Sequence, residues 1–547
     1  MKNTIMRSSL TKLAAVFAVL FVTASCADAE KEPVIIKAEG PPPSLVPLPD
    51  SLSWGENIFM IPEANTICFP EGGETAAAFL EELLKAASVE AELSKGINCG
   101  NWNLVLNDSL SEGLGEEGYR LDIGQDQVTI EGATAAGLMY GVQTLRQLFP
   151  ASVEQHRVQQ DTLLLRQVQL QDVPRFEWRG TMVDVSRSFF GLEYLKEHVD
   201  RMALYKLNRL HLHLTDDQGW RIEIKSRPKL TEIGGNSSVK EGNSGFLTQE
   251  EYNELQAYAA ARNVMIVPEI DMPGHIYAAL RSYPELNCEG MTNINPKRAT
   301  PPEPYREYQV GWSKFCLEDS GTYDFVAEVL GELAAITTGP YIHIGGDEIQ
   351  DPLYEEFIVK ADSIVRGLGK TSIGWEEGTK AEVDPSFISQ KWHGRVESVV
   401  PDVRVIHSIC SQYYFDHANV PGQEFTNNWC KETGVSIEEA YAFASEDPNI
   451  IGVEAPVWTE FVINNDRLDD RFWPRTLALA EVGWTAGGKR NYEDFFGRLQ
   501  GQAERLNQMG VNYFETPGIE WNKEDKAENA RTVFSGFMPK QKESLKL

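Results

Sequence analysis

From about residue 175 the chain alternates short apolar runs with amphipathic stretches. The runs are Thr181–Val185, Arg209–Leu214, Val264–Met272, Tyr341–Gly346, Ser372–Glu376, Phe387–Trp392, Val403–Ser408 and Ile450–Glu460. Several are rich in Val, Ile and Leu, as strands covered on both faces are. Between them, Leu192, Leu195, Val199 and Met202 recur at helical spacing. Thr248 to Asn263 opens with a capping-box signature, and Gly321–Thr337 and Asp351–Leu368 are similarly periodic. The connections after the fifth and sixth runs are too short for full helices. Alternating strands and helices predict an α/β chain with a (β/α)8 TIM barrel over 173–515. An open doubly wound sheet is the competing fold, but no Gly-x-Gly-x-x-Gly opens a helix after the first run.

Residues 44–172 follow a different pattern and predict a smaller α+β domain. Strand-like Asn103–Leu106, Tyr119–Ile123 and Gln127–Glu131 mix with helical Thr75–Ala87 and Thr134–Leu148. The tail, 516–547, is polar and predicts a helix packed on the barrel, then a loose end.

At the N-terminus, Lys2, Arg7 and Lys12 precede an apolar run, Leu13 to Ala24, too short to span a bilayer. It reads as an export signal over 1–25. Thr23-Ala24-Ser25-Cys26 resembles a bacterial lipoprotein cleavage site, although Thr23 stands where Leu or Val is more usual. Lipidation of Cys26, with 26–43 as a tether, predicts a lipid-anchored protein of the cell envelope. A secreted or periplasmic protein with an incidental Cys26 is the alternative.

Of seven cysteines, six remain after Cys26, an even number suited to disulfides in an oxidising compartment. Cys288 and Cys316 bracket a Pro- and Asn-rich stretch and form a candidate pair, against the alternative of free buried thiols. The 547 residues carry a net charge of −31, which argues against a nucleic-acid partner.

In such a barrel the chemistry lies at the C-terminal strand ends. There the sequence places Asp184 and Arg187, Asp216, Glu269 to His275, Asp347-Glu348, Trp375, Trp392, Tyr414 to Asp416, and Trp458 to Glu460. One such Asp can be a helix cap, and one such Trp can be core. Together, flat apolar rings beside carboxylates and an arginine suit a sugar. Adjacent residues on a strand point to opposite sides, so Asp347 and Glu348 are poorly placed as acid and nucleophile about one bond. They suit a division in which one protonates the leaving oxygen and the other orients a 2-acetamido group that attacks as internal nucleophile. A metal site at His211 and His213 is the competing chemistry, but both lie mid-strand and read as core histidines. A glycan-binding protein without catalysis would not need the Asp347-Glu348 pair.

The sequence resembles glycoside hydrolase family 20, the β-N-acetylhexosaminidases. The resemblance rests on Trp178-Arg-Gly-Thr-Met-Val-Asp-Val-Ser-Arg187, His211-Leu-His-Leu-Thr-Asp-Asp-Gln-Gly-Trp-Arg221, Pro268-Glu-Ile-Asp-Met-Pro-Gly-His275 and His343-Ile-Gly-Gly-Asp-Glu348. Gly374-Trp375-Glu-Glu, Tyr414-Phe-Asp416 and Trp458-Thr-Glu460 add to it, over about 44 to 515. It implies an exo-acting, retaining enzyme on terminal β-linked N-acetylhexosamine, with no cofactor or metal. By the same resemblance Glu348 is general acid and base, Asp347 orients the acetamido group, and Tyr414 donates to its oxygen. Trp375, Trp392 and Trp458 enclose the group and the ring; Arg187, Asp416 and Glu460 read hydroxyls; His275 and Asp216 form a relay to Glu348. An acid working near neutral pH further predicts a raised pKa for Glu348, from burial and from Asp347. Ser188 departs from the His that many members carry after the Arg of the first motif.

Overall fold

The computed structural model describes residues 36–158, 163–288, 303–521 and 532–539. The export signal, Cys26 and most of the tether lie outside the described residues. Among the described residues no helix is long and apolar enough to cross a membrane.

Seven strands come first: β1 (Ser51–Phe59), β2 (Thr66–Phe69), β3 (Glu92–Lys95), β4 (Trp102–Leu106), β5 (Tyr119–Ile123), β6 (Val128–Gly132) and β7 (Leu165–Asp172). They form one mixed sheet in the order β1-β7-β5-β6-β4-β2-β3. Helices Glu74–Ala86 and Ala135–Leu148 pack beside it. The second buries 12 of its 14 residues, because it meets the sheet on one side and the barrel helix Leu192–Leu204 on the other. Its start is fixed by Thr134, whose hydroxyl accepts from the Ala136 N–H.

The barrel strands are β8 (Trp178–Asp184), β9 (Arg209–His213), β10 (Met265–Glu269), β11 (Tyr341–His343), β12 (Thr371–Trp375), β13 (Ile388–Lys391), β14 (Arg404–His407) and β15 (Ile450–Val457). All neighbours are parallel, and β15 pairs with β8 to close the cylinder. Each arises from one predicted run. The third and fourth stop short of the predicted ends, at Glu269 and His343, because the residues beyond turn into the mouth of the barrel. The predicted helices recur as Leu192–Leu204, Gln249–Ala260, Ser320–Ile336 and Tyr354–Gly367. Thr248 and Glu251 cap the second reciprocally. After β12 only the tight turn Glu376–Lys380 follows, as the short connection requires.

Sheet and barrel share buried charges. Lys206 donates to Asp172 (2.7 Å) and Tyr119 (2.8 Å), and the Trp484 indole donates to the same Asp172 (2.7 Å). In the tail the described residues form no helix, against expectation; Ile519 and Trp521 pack against the barrel core, as expected of this segment, and Val533 and Phe534 are buried in the core of the sheet region. Apolar side chains without helical spacing still find a core when the chain passes over one.

Six cysteines are paired, Cys288 with Cys316 as expected, and also Cys68 with Cys99 and Cys410 with Cys430.

Candidate active site

A cavity of about 290 Å³ opens at the C-terminal end of the barrel. It is lined by Arg187, His275, Tyr308, Val310, Asp347, Glu348, Trp392, Tyr414, Asn427, Trp429, Trp458 and Glu460. A larger groove of about 870 Å³ lies at the opposite mouth, among Glu116, Arg175 and Arg209. It holds no paired carboxylates facing an imidazole, so the smaller cavity is the chemical one.

The carboxylate pair is presented by a loop rather than a strand. After His343 the chain turns through Gly345 (φ 68°) and Gly346 (φ 103°). A Cβ at Gly345 would stand 1.7 Å from Asp271 Oδ1, so only glycine lets the backbone cross there. The Gly346 N–H donates to that same oxygen at 3.2 Å. Glu348 itself is left-handed (φ 59°), as is His275 (φ 55°). Non-glycine residues held so cost of order 1–3 kcal/mol each and concentrate at functional sites. The turn leaves the Asp347 side chain 13% exposed and Glu348 34% exposed. One carboxylate is mostly buried at the cavity wall, and the other faces the opening.

His275 joins them. Its Nε2 lies 3.7 Å from Asp347 Oδ2 and 3.6 Å from Glu348 Oε2, and its Nδ1 lies 3.5 Å from Asp216 Oδ1. Asp216 is anchored in turn by Arg187 (2.6 Å) and His213 Nε2 (3.0 Å). Burial pushes the Asp216 carboxyl up, but Arg187 and His275 outweigh it and hold it well below the usual range. The His275 imidazole is pulled down by burial yet held well above its ordinary value by Asp216 and Asp347.

The two neighbours then diverge. Asp347 is raised by burial and by the charge of Glu348, with His275 opposing. For Glu348 burial also acts upward, but the nearby His275 imidazole prevails, and its pKa is lowered. This corrects the expectation of a raised Glu348: the imidazole that the sequence places beside it as a relay is itself held well above its ordinary pKa, and its charge lowers the carboxyl.

Arg187 is set by Asp184, which accepts the backbone N–H of Ser186 (2.8 Å) and Arg187 (3.0 Å). Asp184 also accepts the Thr459 N–H (3.0 Å), tying the ends of β8 and β15 together. Glu460, on the same side, is pushed up to about 7 by burial against the pull of Arg187.

Of the predicted aromatic walls, Trp392 and Trp458 line the cavity. The guanidinium of Arg187 sits 4.9 Å over the Trp458 ring. The Trp392 indole donates to Glu377 (2.9 Å), whose carboxyl burial raises to about 7. Trp375 is fully buried, donates to Glu269 (2.9 Å) and supports Trp458 from 5.8 Å, so it does not line the cavity itself. Asp416 is likewise buried, 3.2 Å from His417 Nδ1, outside the lining. Tyr414 lines the wall with its ring 6.1 Å from Trp458.

Below the rim, Glu269 is shared by His211 (3.1 Å), His213 (2.6 Å), His343 (3.0 Å) and Trp375. His211 and Glu269 with His343, and Asp216 and Asp271 with His275, are close enough to hold a cation. Glu269 and Asp216 are each already engaged by cationic or imidazole partners, whereas both ring nitrogens of His275 and Nε2 of His211 and His343 keep no hydrogen-bond partner among the described residues.

Sequence reasoning missed Tyr308, Val310, Asn427 and Trp429, which come from aperiodic loops. Trp429 offered one signal, a tryptophan beside Cys430.

Residues 176–356 and 350–487 match glycosyl hydrolase family 20, catalytic domain, and residues 42–172 match its domain 2. A Cellulomonas fimi beta-N-acetylhexosaminidase is 35% identical over 76% of this chain and 84% of its own. A Porphyromonas gingivalis beta-hexosaminidase is 32% identical over 87% of this chain, which spans 65% of that longer relative. A mutant Streptomyces plicatus beta-hexosaminidase, solved in complex with product GlcNAc, superposes with a TM-score of 0.79 at 36% identity, over 87% of this chain and 97% of that one. The chain therefore belongs to glycosyl hydrolase family 20 and is a glycoside hydrolase of the β-N-acetylhexosaminidase type.

Proposed function

We propose that the enzyme removes single, terminal, non-reducing β-linked N-acetylhexosamines with retention, using the substrate's own acetamido oxygen as nucleophile. The observation that carries this reading is the split pair: a mostly buried Asp347 and an open Glu348, both facing His275. In the first step the acetamido oxygen bonds to C1 as the glycosidic bond breaks, and the leaving oxygen takes the Glu348 proton. Asp347 holds the acetamido N–H and offsets the charge of the oxazolinium. In the second step Glu348 takes a proton from water, the water oxygen bonds to C1, and the ring opens. Tyr414 donates to the acetamido oxygen, which Trp392 and Trp458 enclose with Trp375 behind them. Arg187 and Glu460 bind ring hydroxyls, with Asp416 supporting that side. GlcNAc suits the cavity, in line with the product complex of the Streptomyces plicatus enzyme; GalNAc can use the same assisted chemistry.

Glu348 must regain a proton to act as acid. A sugar in the cavity removes its remaining water, and desolvation raises a carboxyl. The acid form is then favoured in the complex rather than in the free enzyme.

Release of nitrophenol from the β-N-acetylglucosaminide, compared with the plain β-glucoside, tests the reading. Activity on the acetamido substrate alone is expected; equal activity on both would overturn assisted catalysis.

Export with a lipid on Cys26 belongs to the same proposal, and three disulfides are in keeping with an oxidising compartment. Cys26→Ser should move the protein from the membrane fraction to the soluble fraction. Unchanged membrane association would refute the anchor.

A further inference from the structure

Three disulfides close loops of similar length, with sequence separations of 31, 28 and 20 residues. Chain entropy grows only with the logarithm of loop length, so all three should stabilise the fold comparably. Their surroundings differ. Cys68 and Cys99 staple the sheet region, whereas Cys410 and Cys430 sit in the apolar cluster of Trp375, Trp392 and Tyr414.

The backbone of Cys410 already grips two wall residues. Its N–H donates to the Trp392 carbonyl (2.6 Å), and its carbonyl accepts from the Tyr414 N–H (3.3 Å). Cys430 belongs to the aperiodic stretch 418–435 that brings Asn427 and Trp429 into the cavity. The Cys430 N–H donates to His417 Nε2 (3.3 Å), whose Nδ1 faces Asp416. Trp429 is 52% exposed, so burial does little to hold it. Its ring nevertheless stands 5.6 Å from Trp392 and 6.0 Å from Tyr414. The covalent bond one residue away joins the segment bearing Trp429 to the turn that holds Trp392 and Tyr414.

We propose that the Cys410–Cys430 disulfide is a positioning element of the active-site wall, so that opening it weakens substrate binding and not stability alone. This rests on the cavity being the glycan site argued above. The proposal makes reduction a loss of affinity at this one bond, a sensitivity that the Cys68–Cys99 bond should lack.

The test compares Cys410→Ala/Cys430→Ala with Cys68→Ala/Cys99→Ala and wild type, each assayed well below its melting temperature. Both double variants are expected to melt lower by similar amounts. KM for the β-linked GlcNAc disaccharide should rise about tenfold in the first alone, and kcat should fall as well, because Trp392 and Tyr414 also position the acetamido oxygen and a displacement of about 1 Å there weakens positioning strongly. An equal KM shift in both variants, or in neither, overturns the proposal. If the first variant does not accumulate, partial reduction of wild-type enzyme gives the same reading. KM rising as the Cys410–Cys430 bond opens, followed by mass mapping, supports the proposal, and an unchanged KM overturns it. Hydrogen exchange over 389–395 and 411–417 reads the claim without turnover: faster exchange on opening the bond supports it, unchanged exchange contradicts it. An inactive wild type would sink the functional reading while leaving that exchange comparison decisive.

Discussion

The barrel interior and the barrel rim are built from the same side chains, and only one of them is arranged to react. In the interior, His211 Nδ1 lies 2.9 Å from Glu454, His213 Nδ1 2.6 Å from Glu269 and His343 Nδ1 3.0 Å from Glu269. At the rim, His275 stands 3.5 to 3.7 Å from its three carboxylates. Close pairing to Glu454 and Glu269 ties the interior histidines down as structure, although the Nε2 atoms of His211 and His343 keep no hydrogen-bond partner among the described residues. The looser rim contacts, on left-handed backbone at His275 and Glu348, leave capacity for a ligand. Residue type therefore does not identify the site; spacing, backbone conformation and access do.

The largest effect should come from Glu348→Gln, which removes the proton but keeps the shape. Steady-state kinetics are expected to show kcat lower by about 10²–10⁴-fold, with the melting temperature only slightly lowered, since the depressed Glu348 carboxyl contributes a little stability. The interior should answer in the opposite way. Glu269→Ala leaves buried histidines without their shared anion and is expected to lower unfolding stability by about 3–5 kcal/mol in denaturant titration. If Glu269→Ala folds as well as wild type, the contrast between interior and rim fails.

Asp347→Asn should lower kcat by about 10²–10³-fold through loss of transition-state charge stabilisation. It should also raise the melting temperature slightly, by about 1–2 °C at neutral pH. The sign follows from the raised Asp347 pKa in the fold. Such a group penalises folding above its folded pKa, and the penalty fades as pH falls through that value toward the unfolded one. The gain on substitution should thus be full above the folded pKa and vanish in acid.

A smaller shift concerns pH–rate profiles. In the free enzyme His275 holds Glu348 low. The basic limb of kcat/KM should therefore lie below that of kcat, which reports the complex. His275→Ala should move the kcat/KM limb upward, since removing a cation raises a carboxyl. A downward move would contradict the assignment of His275 as the controlling charge.

The barrel was legible because strands buried on both faces read as apolar runs, and all eight runs became strands. The sheet region was legible only in part. β1 carries Gly55 and mostly half-exposed residues, and β3 is a four-residue polar edge, so neither offers a period. Leu165, Val168 and Leu170 in β7 offered only a broken alternation. At the site, residues that follow a strand directly were readable from chain order. Tyr308, Val310, Asn427 and Trp429 were not, because their loops are folded by distant partners. Ser313, for example, hydrogen-bonds Asp217 and accepts the Ile276 N–H (3.0 Å). The Glu348 pKa was misjudged for a related reason. The sign depends on whether a neutral sugar or only His275 faces the carboxyl, and sequence does not separate these states.

In the proposed mechanism the substrate's acetamido oxygen is the nucleophile. The most direct test of that role is kcat/KM for aryl β-glycosides bearing N-acetyl, N-fluoroacetyl, N-difluoroacetyl and N-trifluoroacetyl groups. Each fluorine withdraws electron density from the attacking oxygen while changing its size little. A steep fall at every fluorine is the expected result. A flat series would show that a protein group attacks C1 and would contradict the roles given to Asp347 and Glu348.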